Sequence, residues 1–394
     1  MRYLYLFLLT ATLAACDPGA TTPEETTPAA PDREADGEEP MMLTAAGVES
    51  ETVFDFEDII WGFTWLPDGR ILATVKDGRF LLIDGDGHTE IAGAPEVRDA
   101  GQGGLLDVLL DQDFENNRYV YLTYSRPEQG GELGFTSVGR GTLSQDATRL
   151  ENFTSLYDGG PATDKGQHYG SRMVWGPENG HLYFTIGDRG NRDENPQDTT
   201  RDGGKVYRIT ADGAIPQDNP FAGVPGAKEA IYSYGHRNLQ GLAVHPETGA
   251  IWEHEHGPRG GDEVNVIEAG KNYGWPVITY GINYDGTQIT QEVGMEGMEQ
   301  PVHYWVPSIA PSGMAFVTGD RYPGWKNDLL VGSLRFSFLK LVHLDGTEVT
   351  GEQDLIKNIG RLRDVRMGPD DYIYASIEGT GIVRVVPRSD ELSR

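Results

Sequence analysis

Six times along the chain an apolar run ends in a tight turn and a second β-rich run follows, and this repeat narrows the possible folds more than any other feature. It reads Gly62-Phe-Thr-Trp-Leu-Pro-Asp-Gly-Arg-Ile-Leu72, then Leu105 to Phe114 before Arg118 to Tyr124, then Met173 to Phe184. It returns as Leu242-Ala-Val-His-Pro-Glu-Thr-Gly-Ala-Ile-Trp252, Met314 to Val317 before Asn327 to Val331, and Val365 to Tyr374. These runs are rich in Val, Ile, Tyr, Phe and Trp and none keeps a 3.6-residue period, so strands are expected and helix should be scarce. A unit recurring every roughly 40 to 75 residues suits blades set around an axis, with surplus chain in loops. Six units predict an all-β, six-bladed β-propeller over 47–390. The 52 Gly and 23 Pro supply its turns.

Two strand-like segments, about Thr52 to Phe56 and Gly381 to Val386, fall outside the repeat. They are expected to pair within one blade and close the ring, hiding sheet edges that would otherwise aggregate. Polar stretches over 125–165, 188–204, 216–230 and 276–303 are read as long loops building a cleft over the axis.

The N-terminus has a different character. One Arg, an apolar run from Tyr3 to Leu9 and Leu13-Ala-Ala-Cys16 make residues 1–15 a lipoprotein signal peptide cut before Cys16. The run is too short to span a bilayer. Cys16 is the only cysteine, which excludes an intrachain disulfide, a Cys-based zinc site and covalent c-type haem attachment. Residues 16–46, rich in Pro, Thr, Ala, Glu and Asp, cannot bury enough surface to offset chain ordering and are expected to be a disordered tether. A net charge of -29 removes nucleic acid from the possible partners. Most of these carboxylates suit a solvated surface, and some suit calcium, which takes oxygen ligands. The predicted location is periplasmic or otherwise extracytoplasmic, with the membrane touched only through the lipid.

Polar and backbone-special residues crowd into a few segments: Gly166-Gln-His-Tyr-Gly-Ser-Arg172, Thr185-Ile-Gly-Asp-Arg-Gly190, Ile231 to Pro246 around Gly235-His-Arg-Asn238, Glu255-His-Gly-Pro-Arg-Gly-Gly-Asp-Glu263, Asn272-Tyr-Gly-Trp-Pro276 and Arg361-Leu-Arg-Asp-Val-Arg366. In this order, over nearly all of the chain after about residue 50, the set resembles the soluble quinoprotein glucose and aldose sugar dehydrogenases, which use pyrroloquinoline quinone (PQQ).

The resemblance implies oxidation of an aldose at C1 to the lactone, which needs a base beside an electrophilic hydride acceptor. It makes His168 the base, Asp188 the carboxylate that orients it, and Arg237 the group that polarises the quinone. PQQ carries three carboxylates, so cations and amide donors suit its pocket. Gln102, Arg237, Asn238, Arg335, Arg361 and Arg363 are the implied contacts, and Arg361 and Arg363 alternate along a predicted strand and so share a face. The carbonyls of Gly257 and Pro258 would hold a calcium with PQQ, although a Gly-Pro pair is commonly only a turn. Asp262, Glu263 and the Tyr273 carbonyl resemble a second calcium site.

Three positions depart from the family: Arg335 replaces a Lys, His256 stands where the glucose enzyme has Gln, and Gln167 where it has Asp. They bear on which sugar is taken more than on the cofactor class. Electrons must leave through a separate acceptor such as a cytochrome or quinone, since no haem or nicotinamide motif is present. Two other readings use the same repeat: a propeller that only binds, which predicts loss of the base or of the cationic pocket, and a calcium-dependent lactone hydrolase, which needs several converging carboxylates and no Arg cluster.

Overall fold

Alternation along each strand decides how the sheets stack. In Tyr119–Glu128, Val120 and Leu122 pack toward the preceding sheet, while Tyr121 packs toward the following one. Leu182 and Phe184 likewise face one neighbour and Tyr183 the other, as do Leu329 and Val331 against Leu330. A sheet apolar on both faces must be covered on both, and here each sheet covers the next. The structure, a computed structural model, describes residues 44–388 apart from Asn179. The expected signal peptide over 1–15, Cys16 and the tether as far as residue 43 lie outside the described residues.

Six four-stranded antiparallel sheets form the blades of a β-propeller. Their innermost strands are Ile60–Trp65, Leu105–Leu110, Met173–Trp175, Leu239–Val244, Pro311–Phe316 and Leu362–Met367, each packed on the next around a closed ring. The apolar core is divided among the blade-to-blade seams. Helix is limited to Phe114–Asn117 and two single 3-10 turns among the described residues, none of them long and apolar enough to cross a membrane.

Closure follows the expectation. Val48–Asp55 is the outermost strand of the last blade and pairs antiparallel with Gly381–Pro387, Thr52 opposite Val383. The first strand thereby covers the edge that the last would leave open, and the ring is tied by backbone hydrogen bonds between the two ends of the domain. The segment 125–165 differs from its reading as a loop. Leu133–Leu143 and Leu150–Asp158 lie within it and complete the second blade. These strands hid in the sequence because an outer strand needs few apolar residues. Gly139 and Gly141 moreover stand where a Cβ would collide with Phe153 and Leu150 of the adjacent strand.

Five of the six innermost strands slip register near their start, at Trp61, at Leu106 and Asp107, and at Gln240, Gly313 and Arg363. An extra residue on one strand bends it and re-aims side chains, and here several of them point into the axis. Beneath them a buried ion cluster plugs the channel. Arg172 forms an ion pair with Asp364 at 2.9 Å, lies 3.6 Å from Asp107 and stacks on Trp61 at 4.2 Å. Its other nitrogens donate to the carbonyls of Gln240 and Arg363 at 2.8 Å each. Arg366 bridges Asp107 and Asp364 from below.

Removing one partner from a buried charge cluster leaves the others uncompensated. Arg172→Met is therefore expected to cost about 3–5 kcal/mol of unfolding free energy, read from the urea midpoint, and a loss below about 1 kcal/mol, the scale of a surface pair, would contradict the central role of this cluster.

Candidate active site

The histidine of the 166–172 segment sits on a rigid pedestal. His168 adopts φ +54°, a conformation that costs energy for a residue with a side chain and that gathers at functional sites. Its backbone N–H donates to Oε1 of Gln102 at 2.7 Å. Beside it, Gly170 and Gly187 have no room for a Cβ, because the 166–172 loop and the 185–190 turn pass with their backbones in contact. Arg189 locks the loop from below: its guanidinium stacks on Tyr169 at 3.4 Å and donates to the carbonyls of Lys165 and Gln167.

Nδ1 of His168 lies 2.7 Å from Asp188. The same carboxylate accepts the Gly190 N–H at 2.7 Å and the Trp275 indole N–H at 3.0 Å, so the Asn272-to-Pro276 motif reaches the site as an orienting donor. Burial opposes the Asp188 charge, but the bond to His168 and the nearby Arg237 outweigh it and hold the carboxyl below its usual range. The His168 imidazole is itself pushed below its ordinary value, first by burial and then by the Arg237 charge, with Asp188 opposing. With Nδ1 fixed by a carboxylate, a neutral ring presents Nε2 as its lone-pair nitrogen. That nitrogen makes no hydrogen bond among the described residues.

Two cavities flank this histidine, and consecutive residues divide between them. His168 and Arg237 line a smaller one of about 150 Å3, with Gln167, Pro258, Trp275 and Tyr284. Tyr169 and Asn238 line a larger one of about 380 Å3 over the axis, with Trp61, Gln102, Gln240, His256, Arg361 and Arg363. Arg361 and Arg363 share one partner: Arg361 bonds Glu378 at 2.7 Å, and Arg363 bonds its other oxygen. The two arginines hold the Glu378 carboxyl below its usual range against the effect of burial. Arg335 is not brought in. It is exposed and donates to the Ser308 carbonyl at 3.2 Å, while its neighbour Leu334 lines the cavity.

His256 lines the larger cavity with both ring nitrogens engaged, Nε2 to the Pro311 carbonyl at 2.7 Å and Nδ1 near the Asn238 amide at 3.4 Å. Burial keeps it far below the ordinary value and therefore neutral. The Gly257 carbonyl faces the site, accepting from Arg237 at 3.1 Å. Asp262 accepts from the Gly257, Ile309 and Ala310 N–H groups and from the Ser308 hydroxyl, at 2.7–3.0 Å, so its carboxylate braces two loops. Glu263 turns the other way, opposite Glu255 on the neighbouring strand and beside Tyr273.

Several residues around these motifs carried no mark in the sequence. Glu378 is an ordinary acid in an ordinary turn until the fold sets it between two arginines. His236, Glu253 and Glu255 bring ligand-type atoms within 4.8 Å of one another. His236 Nδ1 is 2.9 Å from Glu255, and its Nε2 is 2.9 Å from the Ser233 hydroxyl. Glu253 Oε1 and Asn265 Oδ1 are buried with no hydrogen-bond partner among the described residues. Only the alternation of Glu253 with Glu255 could have shown that these two acids share a face.

The family model for glucose/sorbosone dehydrogenases matches residues 57–384. Aldose sugar dehydrogenase YliI of Escherichia coli (strain K12) is 41% identical over 357 residues, covering 89% of this chain and 95% of the relative. Quinoprotein glucose dehydrogenase B of Acinetobacter calcoaceticus is 30% identical over 404 residues, covering 81% and 83%. The PQQ-bound aldose sugar dehydrogenase structure from Streptomyces coelicolor superposes with a TM-score of 0.72 at 27% identity, over 86% of this chain and 98% of that one.

A lowered imidazole pKa means that the neutral ring persists to lower pH than in a free histidine. In an NMR titration His168 is expected to protonate below about 6.5, the ordinary value. Arg237→Gln should move the midpoint up, because a repelling charge is removed, and Asp188→Asn should move it further down, because an attracting one is lost. Shifts of opposite sign would overturn this account of its environment.

Proposed function

Because the chain belongs to the glucose/sorbosone dehydrogenase family, we propose that it oxidises aldose sugars at C1 to the corresponding lactones, with PQQ and calcium, outside the cytoplasm. The observation that carries this reading is the place of His168 in the wall of the smaller cavity, next in the chain to Tyr169 of the larger one, its Nδ1 held by Asp188 and its Nε2 without a partner among the described residues. Two further observations support the cofactor class. Arg361 and Arg363 share a single carboxylate, so positive charge is in surplus for an anionic ligand. Gln102 and Asn238 add amide groups to the same cavity.

In this reading the sugar's reducing end enters the smaller cavity and His168 Nε2 takes the proton of the C1 hydroxyl. Asp188 keeps the ring oriented and stabilises the imidazolium that forms. Arg237, stacked over Trp275 at 5.4 Å, fixes a positive charge in the wall of the smaller cavity beside His168. PQQ, when bound, supplies the quinone that accepts the hydride. Arg361, Arg363, Gln102 and Asn238 would hold it, with the Gly257 and Pro258 carbonyls turned to a calcium; Arg335, lying outside the cavity, would contribute charge at its rim. The electrons then pass to a separate acceptor such as a cytochrome or quinone. The Leu13-Ala-Ala-Cys16 motif supports a lipid anchor and periplasmic exposure.

A second calcium is proposed beside Glu263 and the Tyr273 carbonyl, with Glu255 as a further oxygen donor and Asp262 bracing the loop. Three carboxylates, Glu253, Glu255 and Glu263, face one another there on adjacent strands. A divalent cation would offset their repulsion.

The direct test is reconstitution of the purified protein with PQQ and calcium, followed by dye reduction with a panel of aldoses; no turnover with any sugar and no quinone absorbance would overturn the reading. His168→Gln is expected to bind PQQ nearly normally while turnover falls by about two to four orders of magnitude. Arg361→Ala should do the reverse, weakening PQQ by on the order of 1.5 kcal/mol, with saturating cofactor restoring most of the rate. Without PQQ, calcium should raise the thermal midpoint by mass action. Glu263→Gln should remove most of that rise, and an undiminished rise in the variant would place the ion elsewhere.

A further inference from the structure

The smaller cavity carries more positive charge than its own walls balance. Two guanidiniums line it, those of Arg192 and Arg237, against the single carboxylate of Asp188. That carboxylate is fully engaged by the His168 ring, the Trp275 indole and the Gly190 N–H. Arg237 is engaged too, donating to the carbonyls of His256 and Gly257. Arg192 is not. Its Nη1 donates to the Asn283 side chain at 2.8 Å, and its Nη2 makes no hydrogen bond among the described residues. The nearest acid, Asp193, is 3.5 Å from Nε and 82% exposed, a pairing that water and salt largely screen.

The position of this guanidinium is nevertheless fixed. Arg192 stands on the turn after Asp188, where the Asn191 N–H donates to the Asp188 carbonyl at 3.0 Å and the Asn195 N–H to the Asn191 carbonyl at 2.9 Å. Across the cavity, Asn283 belongs to a closed turn, its N–H donating to the Thr287 carbonyl at 2.9 Å. A further cation flanks that turn: the exposed Arg259 guanidinium lies within 3.6 Å of the place a Cβ on Gly286 would take, and it forms no ion pair among the described residues. In a chain of net charge -29, cations gathered at one opening mark a local field of the opposite sign, which draws in an anion.

The cavity measures about 150 Å3, below the roughly 300–1,000 Å3 of ordinary ligand clefts. It holds little more than one sugar ring, so a charged group on that ring must lie against the lining. Resting on the sugar-oxidising reading above, we propose that Arg192 recognises a carboxylate at C6 and that hexuronic acids, aldoses carrying that carboxylate, are substrates of this site. The planar guanidinium fork matches a carboxylate in shape as well as charge. C6 lies across the ring oxygen from C1, so with C1 at His168 the two ends of the sugar meet different groups. The reaction is that of a neutral aldose: the C1 hydride goes to the quinone of PQQ and the C1 hydroxyl proton to His168. The C6 carboxylate is unchanged, and the product is the lactone of an aldaric acid. Hexose 6-phosphates share an anionic C6 end, but their tetrahedral phosphoryl group is bulkier and fits the fork and the volume less well.

The experiment compares sugars that differ only at C6, on the PQQ- and calcium-loaded full chain: glucose with glucuronate and glucose 6-phosphate, and galactose with galacturonate. The uronate of each pair should have the higher kcat/KM at low salt, through a lower KM, and its advantage should shrink as ionic strength rises. Arg192→Gln should lower the uronate-to-neutral ratio of kcat/KM roughly five- to thirtyfold, the scale of a part-exposed hydrogen bond to a charged group, again through KM. Arg192→Lys, which keeps the charge, should keep most of the ratio. A ratio cancels any loss common to both sugars, such as a loosened Asn283 turn. Neutral sugars oxidised while uronates are refused, a ratio unmoved by Arg192→Gln, or a 6-phosphate outranking its uronate would each overturn the assignment and leave sugar oxidation standing. Failure of every sugar would overturn both readings.

Discussion

One guanidinium ties the propeller together at its axis. Arg172 comes from the third blade, pairs with Asp107 of the second and Asp364 of the sixth, donates to a carbonyl of the fourth and stacks on Trp61 of the first. The fifth blade joins through Ser312, whose hydroxyl donates to the same Arg363 carbonyl that Arg172 uses. Six sheets that otherwise meet through apolar seams are thus held in register by a planar, permanently charged group able to serve several acceptors at once. Arg172 is also the last residue of the segment that carries His168. The cluster that closes the channel therefore sets the floor of the larger cavity and anchors the loop of the proposed base.

Above that floor the site is an exercise in unequal charge. Asp188 meets one imidazole, one indole and one amide, and stays ionised. Arg361 and Arg363 meet a single glutamate and leave positive charge over. On the far side of Arg237 the imbalance reverses, with Glu253, Glu255 and Glu263 gathered near one histidine. Arg237 stands between these regions, its backbone N–H held by Glu255 and its guanidinium by the His256 and Gly257 carbonyls. An anionic ligand on one side and a cation on the other would each complete a set of charges that protein groups alone leave unbalanced.

Much of this was legible in the chain, for reasons that differ by residue. The six units could be read because inner strands are buried on both faces and so carry continuous apolar runs. Leu133–Leu143 and Leu150–Asp158 could not, since outer strands in half-solvated positions look like polar loop. His168 and Asp188 stood out through the glycines that let their loops cross, a local backbone requirement that any sequence must display. Glu378 and Glu253 gave no such sign. Apart from Glu255, two residues from Glu253, the neighbours that give them significance lie more than ten residues away, and a lone acid looks the same on a surface as in a cavity. Arg335 shows the opposite case, a motif position whose side chain the backbone turns outward while Leu334 takes the inward place.

By itself the sequence determined the class of fold, the number of blades, the pairing of first and last strands and the segments that carry the site. The first three follow from local periodicity, turn chemistry and the need to cover sheet edges, whereas the site segments were marked by their crowding of polar and glycine residues and by their resemblance to the sugar dehydrogenases. Tertiary structure alone decided how the motifs meet: that Trp275 reaches Asp188, that two arginines share the single carboxylate of Glu378, that Asp262 is consumed by four donors while Glu263 faces the acid cluster, and that Tyr284 overhangs the smaller cavity. The physical reason is that strand chemistry acts over a few residues, whereas the charge and hydrogen-bond state of a buried group depends on whatever the fold brings within a few ångströms of it, however distant in the chain.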